Sequence, residues 1–407
     1  MGQLVKFEYR KMWNRINLVV MIAMILVSSI YIMTFLPAQR RTIDADHGKM
    51  VNGYASYRAL RDVSKDLEGE MDGKYLKKLV KKYNESYDKK YMDVHTGFIT
   101  TAGMTKFFNP NYAVNFAHFS YNLSSGYESI GLDYDFLKSE ESFYKQFKKA
   151  TLEYQKSTLH QKLTPKREKI LEQKVQDMKM PLYVGYKQGW DNIGMHFGTL
   201  YFVVLIAVAF TLSGLYAKDS RNGIDELTLA AGYGRSKDMK ARWIAGNLFA
   251  ATVYIVFVAT IMMEDGIVAT LDGWNVSIQI GLHGGFHTMN YGTYYFLHFI
   301  LGLFGVLVMA NLTLLVNIKL KNMKLSMVGS IIFLYIFMQW FHFYEGILWK
   351  FNFLNPLYFL TEDAFFSSYF IGKQLITYFW AFPVVEMVYM AAIYLFTKRF
   401  YRTYKMN

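Results

Sequence analysis

Residues 18–36, LVVMIAMILVSSIYIMTFL, run for nineteen positions without a charged side chain. A helix rises about 1.5 Å per residue, so a run of this length crosses a hydrocarbon core of about 30 Å. Lys6, Arg10, Lys11 and Arg15 precede it. A basic start before an apolar run is also how a secretory signal looks. Here the run is long, and Pro37-Ala38-Gln39-Arg40-Arg41 makes a poor small-residue cleavage site. The segment is therefore expected to remain as a first membrane span.

Five further apolar runs follow, at 197–216, 244–263, 294–316, 325–349 and 378–396. Together they predict an all-α polytopic membrane protein with six transmembrane helices. Residues 1–17 form an amphipathic segment ahead of the first span, 37–196 a polar block, 217–242 a loop after the second span and 397–407 a tail. Hydrophobic residues make up 53% of the 407 and charged residues only 19%, below the roughly 25% of soluble domains. Mean hydropathy is nevertheless only +0.09, so the apolar residues are segregated into spans beside a polar part. There are no cysteines, which excludes disulfide scaffolds, thiolate zinc sites and a cysteine nucleophile.

Orientation follows from Lys and Arg near the span ends, which stay in the cytoplasm. With the N-terminus inside, the inner segments hold seventeen basic residues, and the short outer loops hold two, Lys350 and Lys373. Both termini are therefore expected inside and the polar block outside. In that block Asp72 and Ser139 are candidate helix caps, and Thr164-Pro165 is a helix start with Met180-Pro181 as its expected stop. Residues 91–137 show no clear period. The block holds 26 basic and 20 acidic residues, a weak excess that fits a solvated helical surface, and nucleic acid is not an expected partner.

The loop at 217–242 is long for a turn between spans, which needs about 2 to 8 residues. Within it, residues 223–231 (GIDELTLAA) read as a short helix with Asp225 and Glu226 in the first turn, where the helix dipole favours acids. Ile224, Leu227 and Leu229 give it an apolar side, suited either to a groove on a partner or to packing on its own bundle.

Asp219, Gly223, Ile224, Asp225-Glu226-Leu227, Leu229 and the turn Tyr233-Gly234-Arg235 resemble the first cytoplasmic loop of type-two ATP-binding-cassette exporter permeases of Gram-positive bacteria. Phe7-Glu8-Tyr9-Arg10-Lys11 is similar to that family's elbow helix, and pieces of 53–84 and 180–190 are similar as well. Position 219 is Asp where the family more often has Glu. The resemblance implies a plasma-membrane permease subunit that forms a translocation path. It also implies that elbow residues Phe7, Glu8, Arg10 and Lys11 and the loop residues just named dock a separate cytoplasmic ATPase. Such a subunit pairs with a second permease half, identical or not, and ATP and Mg belong to the partner ATPase rather than to this chain. No Gly-x-x-x-x-Gly-Lys-Ser/Thr phosphate cradle is present in the sequence. The expected cargo is an amphipathic peptide or a lipid-like molecule. The competing expectation is a membrane sensor whose outer domain binds a peptide.

Ionisable residues inside spans are costly and invite a functional question. Glu386 falls mid-span after Pro383. His342 and Glu345 stand one turn apart in the fifth run, near enough to bond. Glu264 and Asp265 close the third run, where exposure at the outer surface is expected. His283 and His287, four apart around two glycines, make a weak metal pair. No Gly-x-Ser-x-Gly or His-Glu-x-x-His motif is present, so a membrane hydrolase would lack its usual residues. That this chain is a transport subunit with no enzyme activity of its own is what the resemblance implies.

Overall fold

The computed structural model describes residues 1–43, 49–65, 68–86, 139–159, 163–224, 237–281, 285–340, 352–361 and 365–402. In chain order, α1 (Gly2–Met12) leads into α2 (Arg15–Gln39), which passes through a π-helical turn at Tyr31–Phe35. Asn14 caps α2, its Oδ1 accepting from the Asn17 N–H at 3.1 Å. The polar block opens with β1 (Arg41–Ile43) and β2 (Met50–Asn52), an antiparallel ladder, and α3 (Tyr54–Lys65). Next come β3 (Gly69–Glu70), α4 (Gly73–Ser86), α5 (Glu140–Thr158), α6 (Pro165–Gln176) and β4 (Tyr183–Val184), which pairs antiparallel with β3. The bundle continues with α7 (Gln188–Leu212), α8 (Ala217–Arg221), α9 (Met239–Val268), α10 (Tyr291–Leu320) and α11 (Met323–Trp340). It ends with a hairpin, β5 (Ser368–Ile371) and β6 (Gln374–Thr377), leading into α12 (Tyr378–Arg402).

Among the described residues five helices are long and apolar enough to cross a membrane: α2, α7 together with α8, α9, α10 and α12. α11 is apolar but shorter, and the rest of the fifth apolar run, 341–349, lies outside the described residues. This is a multi-pass membrane architecture built from α-helices. Helices α7 and α10 form its centre, where Tyr201 donates to the Gly302 carbonyl at 2.7 Å, and α12 packs along α10. Residues such as Val19, Ile22 and Leu26 of α2 and Val384, Met387 and Val388 of α12 face outward, as lipid-facing positions do.

The expected caps are in place. Asp72 Oδ1 accepts from the Tyr75 N–H at 2.8 Å, and Ser139 Oγ from the Ser142 N–H at 3.1 Å. Several boundaries differ from the sequence reading. α7 begins at Gln188, nine residues before the apolar run, and Trp190, Asn192 and His196 in these added turns are buried, so the helix is enclosed by the bundle from its first turns onward. α6 ends at Gln176, short of Met180-Pro181. Glu264 and Asp265 are buried rather than exposed, because each has a polar partner in the bundle: Glu264 accepts from Ser29 of α2, and Asp265 meets His196 of α7 at 3.0 Å. Residues 91–137 lie outside the described residues.

Candidate functional site

The first helix explains one side of the site. On α1, Phe7 points away, 59% exposed, as do Arg10 and the neighbouring Lys6, while Glu8 and Met12 are buried. Tyr9 and Trp13 lay this buried face on the N-terminal half of α9. Their rings meet Phe249 at 6.4 and 5.5 Å, and the Tyr9 hydroxyl bonds Thr252 Oγ1 at 3.0 Å. This brings Lys11, one turn after Glu8, to the junction of α7, α8 and α9.

The turn between α7 and α8 is held by Asn317 of α10. Its Oδ1 accepts from the N–H groups of Tyr216 and Ala217 at 2.8 and 3.3 Å, and its Nδ2 donates to the Ser213 carbonyl and to Ser326 Oγ. With both amide ends used, the turn is fixed to α10 and presents Asp219 from α8 toward α1. Lys11 Nζ lies 2.8 Å from Asp219 Oδ2, and Arg242 Nη1 of α9 lies 2.9 Å from the same oxygen. Arg242 also reaches Asp238 with Nε at 2.8 Å, and Tyr401, in the last turn of α12, donates to Asp238 at 2.8 Å. The guanidinium sits 5.3 Å above the Tyr216 ring, whose own neighbour is Tyr401.

One joint therefore ties α1, the α7–α8 turn, α9 and α12 together at the end of the bundle that carries the chain's first and last helices. Its charges are three carboxylates against two cations. Glu8 is the carboxylate left over: Lys11 is 3.5 Å away, and burial raises the Glu8 carboxyl above its ordinary range, while Arg242 and Lys11 oppose the rise. A buried network of this kind fixes geometry. Among the described residues no three His, Asp or Glu side chains come together as a metal site.

Of the expected docking residues, Asp219 is central to the joint, and Glu8 and Lys11 adjoin it. Gly223 adopts a left-handed φ of +68° and is exposed beside an exposed Ile224 just past α8. Asp225, Glu226, Leu227, Leu229, Tyr233, Gly234 and Arg235 lie outside the described residues, as do His342, Glu345 and His283. Glu386 lies inside α12, fully buried, and neither of its carboxylate oxygens has a hydrogen-bond partner. Sequence reasoning missed Asp238, Arg242 and Tyr401. The Asp238–Arg242 spacing of four at a helix start was the available signal, whereas the approach of Tyr401 is visible only in three dimensions.

A second polar cluster closes the opposite end. His196 Nε2 and Asp265 Oδ2 meet at 3.0 Å with both side chains fully enclosed. Asn192, one turn before His196, donates to the Tyr57 hydroxyl of α3 at 3.2 Å, and Arg40 donates to Gln188 at 2.5 Å. Arg61 of α3 also pairs with Asp272, which follows α9, at 2.6 Å. The polar block is thus bonded to the bundle rather than merely tethered to it. No family model, curated protein or solved structure matches the chain.

Proposed function

We propose that the chain is the permease subunit of an ATP-driven exporter in the plasma membrane, with six spans, both termini in the cytoplasm and the polar block outside. The observation that carries this proposal is the four-segment joint around Asp219. It borders the loop at 225–236, which the resemblance marks as the docking element, and it links that loop to α1, the other docking element. The basic residues concentrated around this end of the bundle support placing it in the cytoplasm.

A separate ATPase, holding ATP and Mg, grips the exposed side of α1 and the 217–242 loop. When its two copies close on nucleotide, the loop moves. Asp219 carries the displacement to Lys11 of α1 and to Arg242 of α9, and Asp238 carries it to α12. Helices so paired move as rigid bodies, which is how a bundle alternates between inward and outward openings. The second permease half completes the path, and the cargo is an amphipathic peptide or lipid-like molecule.

Affinity purification of the full chain from its native membrane tests the proposal. Recovery of a nucleotide-binding subunit whose ATP turnover falls when Asp219 is replaced by Ala supports it. Recovery of a histidine kinase with no ATPase points instead to a sensor and overturns it.

A further inference from the structure

At the end of the bundle opposite the Asp219 joint, α6 lies over the β5–β6 hairpin. Arg167 donates to the Gly372 carbonyl at 3.2 Å and stacks its guanidinium 5.2 Å above the Phe370 ring. Beside this contact is a cleft of about 570 Å³, within the roughly 300–1,000 Å³ of ligand pockets. Lys174 and Asp177, from the end of α6, form one wall, Leu375 and Ile376 of β6 the other, and Trp380 the rim, with His287 between them.

Three features of this cleft favour one kind of occupant. First, β5 and β6 form a sheet of only two strands among the described residues, in which β6, but not β5, lines the cleft, and no other described strand pairs with the edge of β6 away from β5. Such an edge offers alternating N–H and C=O groups to an added strand. Second, the His287 ring is packed among Phe286, Phe366 and Phe379. One ring nitrogen donates to the Phe366 carbonyl, and Nε2 is buried without a partner. Burial lowers the imidazole to about 4, so at neutral pH Nε2 carries a lone pair and accepts. Third, Lys174 donates while Asp177 accepts, three residues apart at the mouth. An occupant with donors, acceptors and apolar side chains in alternation matches all three, and an extended peptide has that pattern.

We infer that the cleft between α6 and β6 binds an extended apolar peptide segment, which adds to the free edge of β6 with its side chains against Leu375, Ile376 and Trp380. β6 is 4 residues long, so the paired part of the peptide spans about 13 Å at the usual strand rise of about 3.3 Å per residue. The site stands whether the bound peptide is cargo or signal, and it needs no ATPase.

The test uses the purified full chain in lipid nanodiscs and an N-acetylated peptide that alternates Val and Thr over six residues and ends in an amidated Lys. Binding is read by calorimetry beside the same peptide with alternate amides N-methylated, in both registers. The unmodified peptide is expected to bind, and methylation in one register to weaken it on the order of tenfold, since it removes several strand hydrogen bonds. His287→Phe, which keeps the ring packing and loses the acceptor, is expected to weaken binding roughly two- to tenfold. Equal binding of the peptide and both methylated forms, or no binding by any of them, overturns the inference. Because the ATPase is absent from the measurement, its outcome is independent of the exporter proposal.

Discussion

Lys11 and Asp219, 208 positions apart in sequence, meet at 2.8 Å. The Asp219 carboxylate also holds Arg242, whose side chain is only 2% exposed, whereas Lys11 remains about one-third exposed. Removing one partner of a buried pair costs about 3–5 kcal/mol, and Asp238 still supports Arg242, so Asp219→Asn is expected to destabilise by about 3 kcal/mol. Lys11→Met is expected to cost about 0–1 kcal/mol, because an exposed ammonium regains its hydration. Thermal unfolding of both variants in one detergent decides the matter, and similar losses for the two would show that Arg242 does not depend on Asp219.

Glu8 predicts a pH dependence with a definite sign. Burial raises its carboxyl in the folded chain, so between the unfolded value near 4.5 and the higher folded one the native state binds more proton. The stability this contributes is fully present below about 4.5 and is lost as pH rises through the folded value. Glu8→Gln, neutral throughout, is expected to melt higher than the parent at pH 7 and to flatten the melting curve over that window. A parent more stable at pH 7 than at pH 5, with the difference abolished in Glu8→Gln, would contradict the sign.

The helices were legible because uncharged runs and caps are local signals: the 18–36 run, Asp72 and Ser139 needed no tertiary information. Polar partners were not. Glu264 and Asp265 at the end of an apolar run look like a surface boundary, and only the approach of Ser29 and His196 from other helices makes their burial possible. The β5–β6 hairpin was also missed, although Gly372-Lys373 between Tyr369-Phe370-Ile371 and Gln374-Leu375-Ile376 is a two-residue turn signal, with Gly372 at a left-handed φ of 64°. Its flanks carry so many apolar residues that the period-two pattern is weak beside the span that follows.

The His196–Asp265 pair predicts where the polar block is anchored. Asp265→Ala leaves an imidazole enclosed without its polar partner, a loss of about 1–3 kcal/mol for a buried polar group left unsatisfied. Tyr57→Phe removes one hydrogen bond from Asn192 and is expected to cost about 1 kcal/mol. Both are expected to speed proteolysis of the polar block by trypsin, Asp265→Ala more than Tyr57→Phe. Unchanged cleavage in Asp265→Ala would mean that the pair stabilises the bundle alone.

Close packing at the centre predicts a steric effect. A Cβ on Gly305 of α10 would lie 2.6 Å from the Tyr201 hydroxyl and 3.1 Å from the Pro356 carbonyl. Gly305→Ala is expected to destabilise by about 1–3 kcal/mol, as overpacked cores do. Tyr201→Phe removes the nearest atom together with its bond to the Gly302 carbonyl, so the double variant is expected to lose less than the sum of the two single losses. Strict additivity in a double-mutant cycle would place the strain at Pro356 instead.

The absence of cysteine makes orientation directly measurable, because any single introduced thiol is the sole labelling site. Lys77 of α4 and Lys324 of α11 are both exposed, and they fall on the two sides assigned by the basic-residue bias. A membrane-impermeant maleimide applied to intact cells is expected to label Lys77→Cys and to spare Lys324→Cys until the membrane is permeabilised. The result bears on mechanism as well as topology, since the Asp219 joint shares its end of the bundle with Lys324 and can meet a cytoplasmic ATPase only if that end is inside. Labelling of Lys324→Cys in intact cells, with Lys77→Cys protected, would invert the protein in its membrane and remove the partner the joint is proposed to serve.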